Sequence, residues 1–121
     1  MTIAFWWFAA ALAPYVAFSF VKGVDPNNTR ANVKTLGGRS ARAHAAHLNA
    51  FEAFPPFAAA VIISHLSLGD NRTTNLLALA FLVARAAHLA FYLDDRQPLR
   101  SAAFSLGAVI VAVMFVHAAW G

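Results

Sequence analysis

Four long apolar runs separated by short polar stretches set the pattern of the chain, covering residues 3–21, 43–68, 75–93 and 102–120. A hydrocarbon core of about 30 Å takes roughly 20 apolar helical residues, and each run is near that length. The first run carries no charge, holds Trp6 and Trp7 near its start, and is interrupted by Pro14, which a transmembrane helix tolerates. The second contains Glu52 and the pair Pro55-Pro56, the third contains Arg85 and His88, and the fourth is nearly free of polar groups until His117. The stretches between them, 23–38, 69–73 and 94–98, are rich in turn-forming residues. Short connections make consecutive helices antiparallel neighbours. The pattern therefore predicts an all-α integral membrane four-helix bundle of up-down topology. It forms one transmembrane domain over residues 1–121, with helices at about 3–21, 40–68, 75–94 and 99–120. A cleaved signal peptide is the competing reading of the first run. No basic region precedes it, however, and Lys22 follows it instead.

Composition agrees with the pattern. Of the 121 residues, 60% are hydrophobic and 12% charged, too little polar surface to cover the core of a soluble domain. Cysteine is absent, which removes disulfides, thiolate metal sites and any protein thiol nucleophile. A formal charge of +4 raises nucleic acid as a partner, but the basic residues flank apolar runs instead of forming a soluble arm. The expected partner is the lipid bilayer, with no nucleic acid. Lys22, Arg30, Lys34, Arg39, Arg42, Arg96 and Arg100 lie at the first and third connections, against Arg72 alone on the other side. This bias places the crowded side in the cytoplasm and both termini outside. A bacterial inner membrane is the expected location, with the polar site facing the cytoplasm.

An ionisable residue inside a bilayer costs a few kcal/mol and normally faces protein or water with a partner. Glu52 and Arg85 are such residues. Arg85 precedes Asp94 by nine positions, placing it about 13 Å below the cytoplasmic end of its helix. Glu52 lies roughly 10–15 Å down the second helix. Equal depth predicts that the two pair. Arg42, Asn49 and Glu52 share one face of the second helix by their spacing of seven and three. Arg85, His88 and Tyr92 form a stripe on the third, and Arg100 and Ser101 open the fourth. Together they predict a polar cavity suited to a small anionic or zwitterionic ligand. Each residue also has a plainer reading: Asn49 as an interhelical hydrogen bond, Tyr92 as an interfacial anchor, and Arg96 and Arg100 as topology signals. His44 and His47 have the i, i+3 spacing of a metal pair, but no nearby carboxylate or thiolate completes a set, so no metal is expected.

The segment Arg42-Ala-His-Ala-Ala-His47-Leu-Asn49-Ala-Phe-Glu52-Ala-Phe-Pro55 resembles the second-helix signature of the MAPEG family, membrane-associated proteins in eicosanoid and glutathione metabolism. Leu82-Val-Ala-Arg85-Ala-Ala-His88-Leu-Ala-Phe-Tyr92-Leu, followed by Pro98-Leu-Arg100-Ser101, is similar to the family's third helix and the opening of its fourth. The resemblance covers essentially the whole chain and implies a homotrimer that binds glutathione near the cytoplasmic side, between protomers. It implies that Arg100 stabilises the glutathione thiolate, with Ser101 as a hydrogen-bond partner of the sulfur. It gives Arg42, Asn49, Glu52, His88 and Tyr92 a part in holding the tripeptide, with Arg85 orienting Glu52. Physically, a cation beside a thiol favours the nucleophilic thiolate.

Ala45 and Leu48 stand where the eicosanoid-forming members carry further arginines, and Phe104 matches a common tyrosine of the fourth helix. Three functions are weighed on this basis. One is a glutathione-dependent transferase or peroxidase acting on lipophilic electrophiles, its cavity walls supplied by Phe51, Phe54 and alanines. The second is a non-catalytic trimeric binder or accessory subunit. The third is a small multidrug transporter, which the strong charge bias and the position of Glu52 in the second helix disfavour.

Overall fold

The computed structural model describes residues 3–22 and 37–121. Among these, four helices form: α1 (Ile3–Phe18), α2 (Gly38–Leu68), α3 (Arg72–Leu93) and α4 (Gln97–Trp120). The expected all-α membrane bundle is what the chain builds. Helices α2, α3 and α4 are long and apolar enough to cross a membrane, and α1 is a shorter apolar helix. Arg30 and Lys34, two of the basic residues counted above, lie outside the described residues.

The helix ends differ from the apolar runs for local reasons. Helix α1 stops at Phe18, three residues before the expected end. There the Ser19 hydroxyl donates to Val16 O, and the Ser19 and Phe20 N–H groups close tight turns onto Val16 and Ala17. Such i→i+3 turns wind a helix out. Helix α3 starts at Arg72 because the Asn71 side chain accepts from Thr74 N at 2.8 Å, capping the first turn. That turn is polar, so hydropathy alone starts the helix at Asn75. Helix α2 ends at Gly69, whose φ of 70° is open to glycine without strain. Its N–H returns to His65 O. Pro98 sits in the opening turn of α4, where its missing N–H is not needed.

Packing follows residue size. Ala43, Ala46, Ala50, Ala60, Ala78 and Ala84 are buried along the interfaces, and such small residues let membrane helices approach closely. Larger side chains fill what remains: Trp6, Phe57, Val61, Phe81 and Met114 form the centre of the core. The rings of Phe57 and Phe81 stack at 4.3 Å between centroids. Helix α1 lies mainly along α2, α3 lies along α4, and α2 bridges the two pairs. The outward surface carries Phe8, Leu66, Val83 and Trp120, all well exposed. That is the surface of a chain solvated by lipid.

Polar contacts fasten α1 at two levels. Near its start the indole N–H of Trp6 donates to Asn75 Oδ1 at 2.9 Å. The Asn75 amide in turn donates to Asp70 Oδ1 at 2.7 Å. This bond holds the Asp70 carboxyl below the usual carboxylate range. Near the other end, Pro14 O lies 2.6 Å from His47 Nδ1. A carbonyl only accepts, so Nδ1 carries the proton.

Candidate polar groove

Helix α2 presents Asn49 toward α3, helix α3 presents His88 and Tyr92 one turn apart, and α4 opens with Arg100 and Ser101. These five residues, with Phe104 and Ser105, line one open groove of about 310 Å³. A second cavity of about 250 Å³ adjoins it, sharing Asn49 and Phe104 and adding Glu52, Arg85 and an apolar wall of Pro56, Phe81 and Val111. Seven of the eight residues expected at a site therefore line one polar-to-apolar channel between α2, α3 and α4.

Arg42 is placed elsewhere. Its Nε and Nη2 donate to Leu93 O at 3.3 and 3.1 Å. A guanidinium there answers the free carbonyls and partial negative charge at the end of α3. Arg42 lies on the α2 face that the spacing assigned to it, but its head serves the end of the neighbouring helix.

The expected Glu52–Arg85 pair does not form. The two residues do share a cavity, so their depths match. The Arg85 guanidinium nevertheless donates to Asn49 Oδ1 at 2.7 Å, and no ion pair joins it to Glu52 among the described residues. Helical geometry explains the choice. Three residues along a helix turn the side chain about 60° short of a full circle, so when Asn49 faces α3, Glu52 is rotated toward the edge. Arg85 is 9% exposed, whereas Glu52 is exposed.

Arg100 is held by a ring face: its guanidinium carbon sits 4.2 Å from the Tyr92 centroid. Such a contact fixes the cation and leaves its N–H edges open, and among the described residues the side chain donates no hydrogen bond. His88 is 3% exposed and packs edge-on to Tyr92 and beside Phe104. Its Nδ1 has no hydrogen-bond partner among the described residues. Ser105 was not anticipated from sequence, although its place four residues after Ser101 was the available signal.

Behind this site, Arg85 and His88 also line a second crevice of about 390 Å³ between α1 and α3. Its walls are otherwise apolar: Leu12, Val16, Leu89 and a series of alanines. The third helix is thus a partition one helix thick.

No curated protein and no solved structure matches the chain. The MAPEG family model matches residues 1–120. With match and groove together, the chain belongs to the MAPEG family.

Proposed function

We propose that this protein is a glutathione-dependent transferase or peroxidase that acts on lipophilic electrophiles dissolved in the bilayer. The observation that carries the reading is the convergence of Asn49, His88, Tyr92, Arg100 and Ser101 on one groove. The donor set fits the tripeptide. The Asn49 amide suits one of its carboxylates, and the Glu52 carboxylate at the far end of the channel suits its ammonium. Glutathione, when bound, supplies the sulfur nucleophile that the cysteine-free chain lacks. Arg100 stabilises negative charge at the sulfur, and the adjacent Ser101 hydroxyl donates to it. The apolar wall of Phe81, Phe104 and Val111 admits the greasy partner.

The same reading places both termini outside and the groove on the cytoplasmic side of a bacterial inner membrane, following the Lys/Arg bias. It takes the working unit to be a homotrimer, as the family resemblance implies. The exposed Glu52 supports an assembly that covers it, because a carboxylate bare to lipid is costly.

One observation favours a second reading, a non-catalytic binder of the same fold. Phe104 lines both cavities without a hydroxyl, and neither Ala45 nor Leu48 supplies a donor. Membership of the MAPEG family weighs against the transporter reading.

The deciding experiment titrates purified protein in detergent with glutathione while following thiolate absorbance and turnover of a hydrophobic electrophile. Saturable binding with a thiolate signal is expected, and Arg100→Ala is expected to abolish that signal. Absence of binding at millimolar glutathione would sink the enzyme reading. An intact signal in Arg100→Ala would overturn the role of Arg100 alone.

A further inference from the structure

We infer that Arg85 is a positioning residue that fixes the orientation of the Asn49 amide, so that the channel presents an N–H donor at the junction of its two halves. The inference rests on the functional reading above for its ligand, but its geometry stands apart from it. A side-chain amide has an acceptor end and a donor end of nearly equal shape, and without a directing neighbour it can turn over. The neighbour here permits one orientation. A guanidinium has five N–H donors and no acceptor, and it stays charged. The atom 2.7 Å from Arg85 Nη2 is therefore Asn49 Oδ1. The Nδ2 end has no hydrogen-bond partner among the described residues. It is not among the sealed, unpartnered polar atoms either, and Asn49 lines both cavities. The donor end is thus open to the channel.

The consequence is a polarity rule for whatever binds. At the Asn49 position the ligand must offer an oxygen acceptor, a carboxylate or a peptide carbonyl. A hydrogen-bond donor placed there would meet another donor. Arg85 lines the channel wall beside the amide, but at 9% exposure and with Nη2 committed to Oδ1 it imposes this rule through Asn49. Glu52, three residues on and exposed, supplies the opposite polarity. The channel therefore reads donor then acceptor along the wall that Asn49 and Glu52 share, which selects the direction in which a zwitterionic peptide lies.

Two variants separate orientation from charge and folding. Arg85→Lys keeps a donor-only partner for Oδ1. Arg85→Gln can bond to either end of the amide and no longer dictates its direction. Glutathione affinity is expected to fall about tenfold in Arg85→Gln, the effect of one good hydrogen bond, and to stay within about threefold of wild type in Arg85→Lys. In an Asn49→Leu background, Arg85→Gln is expected to change affinity no further. An equal loss in both backgrounds would mean that Arg85 acts on the ligand through its charge, and the inference would be wrong. A ligand-free arm keeps the two readings apart. The melting midpoints of Asn49→Leu, Arg85→Met and the double variant in detergent should be non-additive. Additive shifts overturn the amide lock whether or not glutathione binds. A failure of wild type to bind glutathione, with non-additive midpoints, overturns the proposed function and leaves the lock in place.

Discussion

Tyr92 illustrates how a residue can sit where its sequence places it and contribute through a different atom. Its spacing from Arg85 and His88 marks it as a phenol facing a ligand. In the fold its ring face carries Arg100 at 4.2 Å. The two roles make opposite forecasts for removal of the hydroxyl. Tyr92→Phe should keep the thiolate absorbance of bound glutathione, because the aromatic face remains. Tyr92→Leu should weaken it on the order of three- to tenfold, equivalent to about 1 kcal/mol of lost cation–π contact. Equal damage from both variants would return the role to the hydroxyl. The same lesson applies to Arg42 and Arg85. Their helix faces were legible from spacing, but their partners were not. A long guanidinium reaches several ångströms, and Leu93 O and Asn49 Oδ1 are acceptors brought near only by the packing of other helices.

At the scale of elements, the number, order and apolar character of the helices were legible, because a bilayer requires about 20 apolar residues of each crossing. The ends were less so. The Asn71 cap and the Ser19 turn are polar events that a hydropathy reading ignores. The contact between Trp6 and Asn75 was hidden for another reason: it joins residues 69 positions apart, and nothing local announces it. Asn75→Leu leaves the buried Trp6 N–H without a partner, which should cost about 1–3 kcal/mol and lower the melting midpoint in detergent. The same variant changes the acid response. With its carboxyl depressed by Asn75, Asp70 contributes stability above its ordinary pKa and loses it as pH falls through the depressed one. The wild-type midpoint should therefore drop more steeply below about pH 4 than that of Asn75→Leu. Parallel curves would show that Asp70 takes no part.

For the whole molecule, the charge bias makes a forecast that the absence of cysteine renders easy to check. Single cysteines introduced as Thr73→Cys and Asp95→Cys lie at opposite ends of the bundle, in exposed positions. In intact cells a membrane-impermeant maleimide should label the first and reach the second only after permeabilisation. The reverse pattern would invert the orientation and move the groove to the outer face.

The apolar wall of the channel bears, on the proposed transferase or peroxidase reading, on what sets the rate. A compound dissolved among acyl chains would then meet Phe81, Phe104 and Val111 without passing through water. Its effective dose is then its mole fraction in the lipid, and hydrophobic partitioning by itself enriches it there. Diluting the membrane with inert lipid at constant bulk concentration should slow turnover in proportion. A compound presented from water would show no such dilution, and its rate would follow the aqueous concentration.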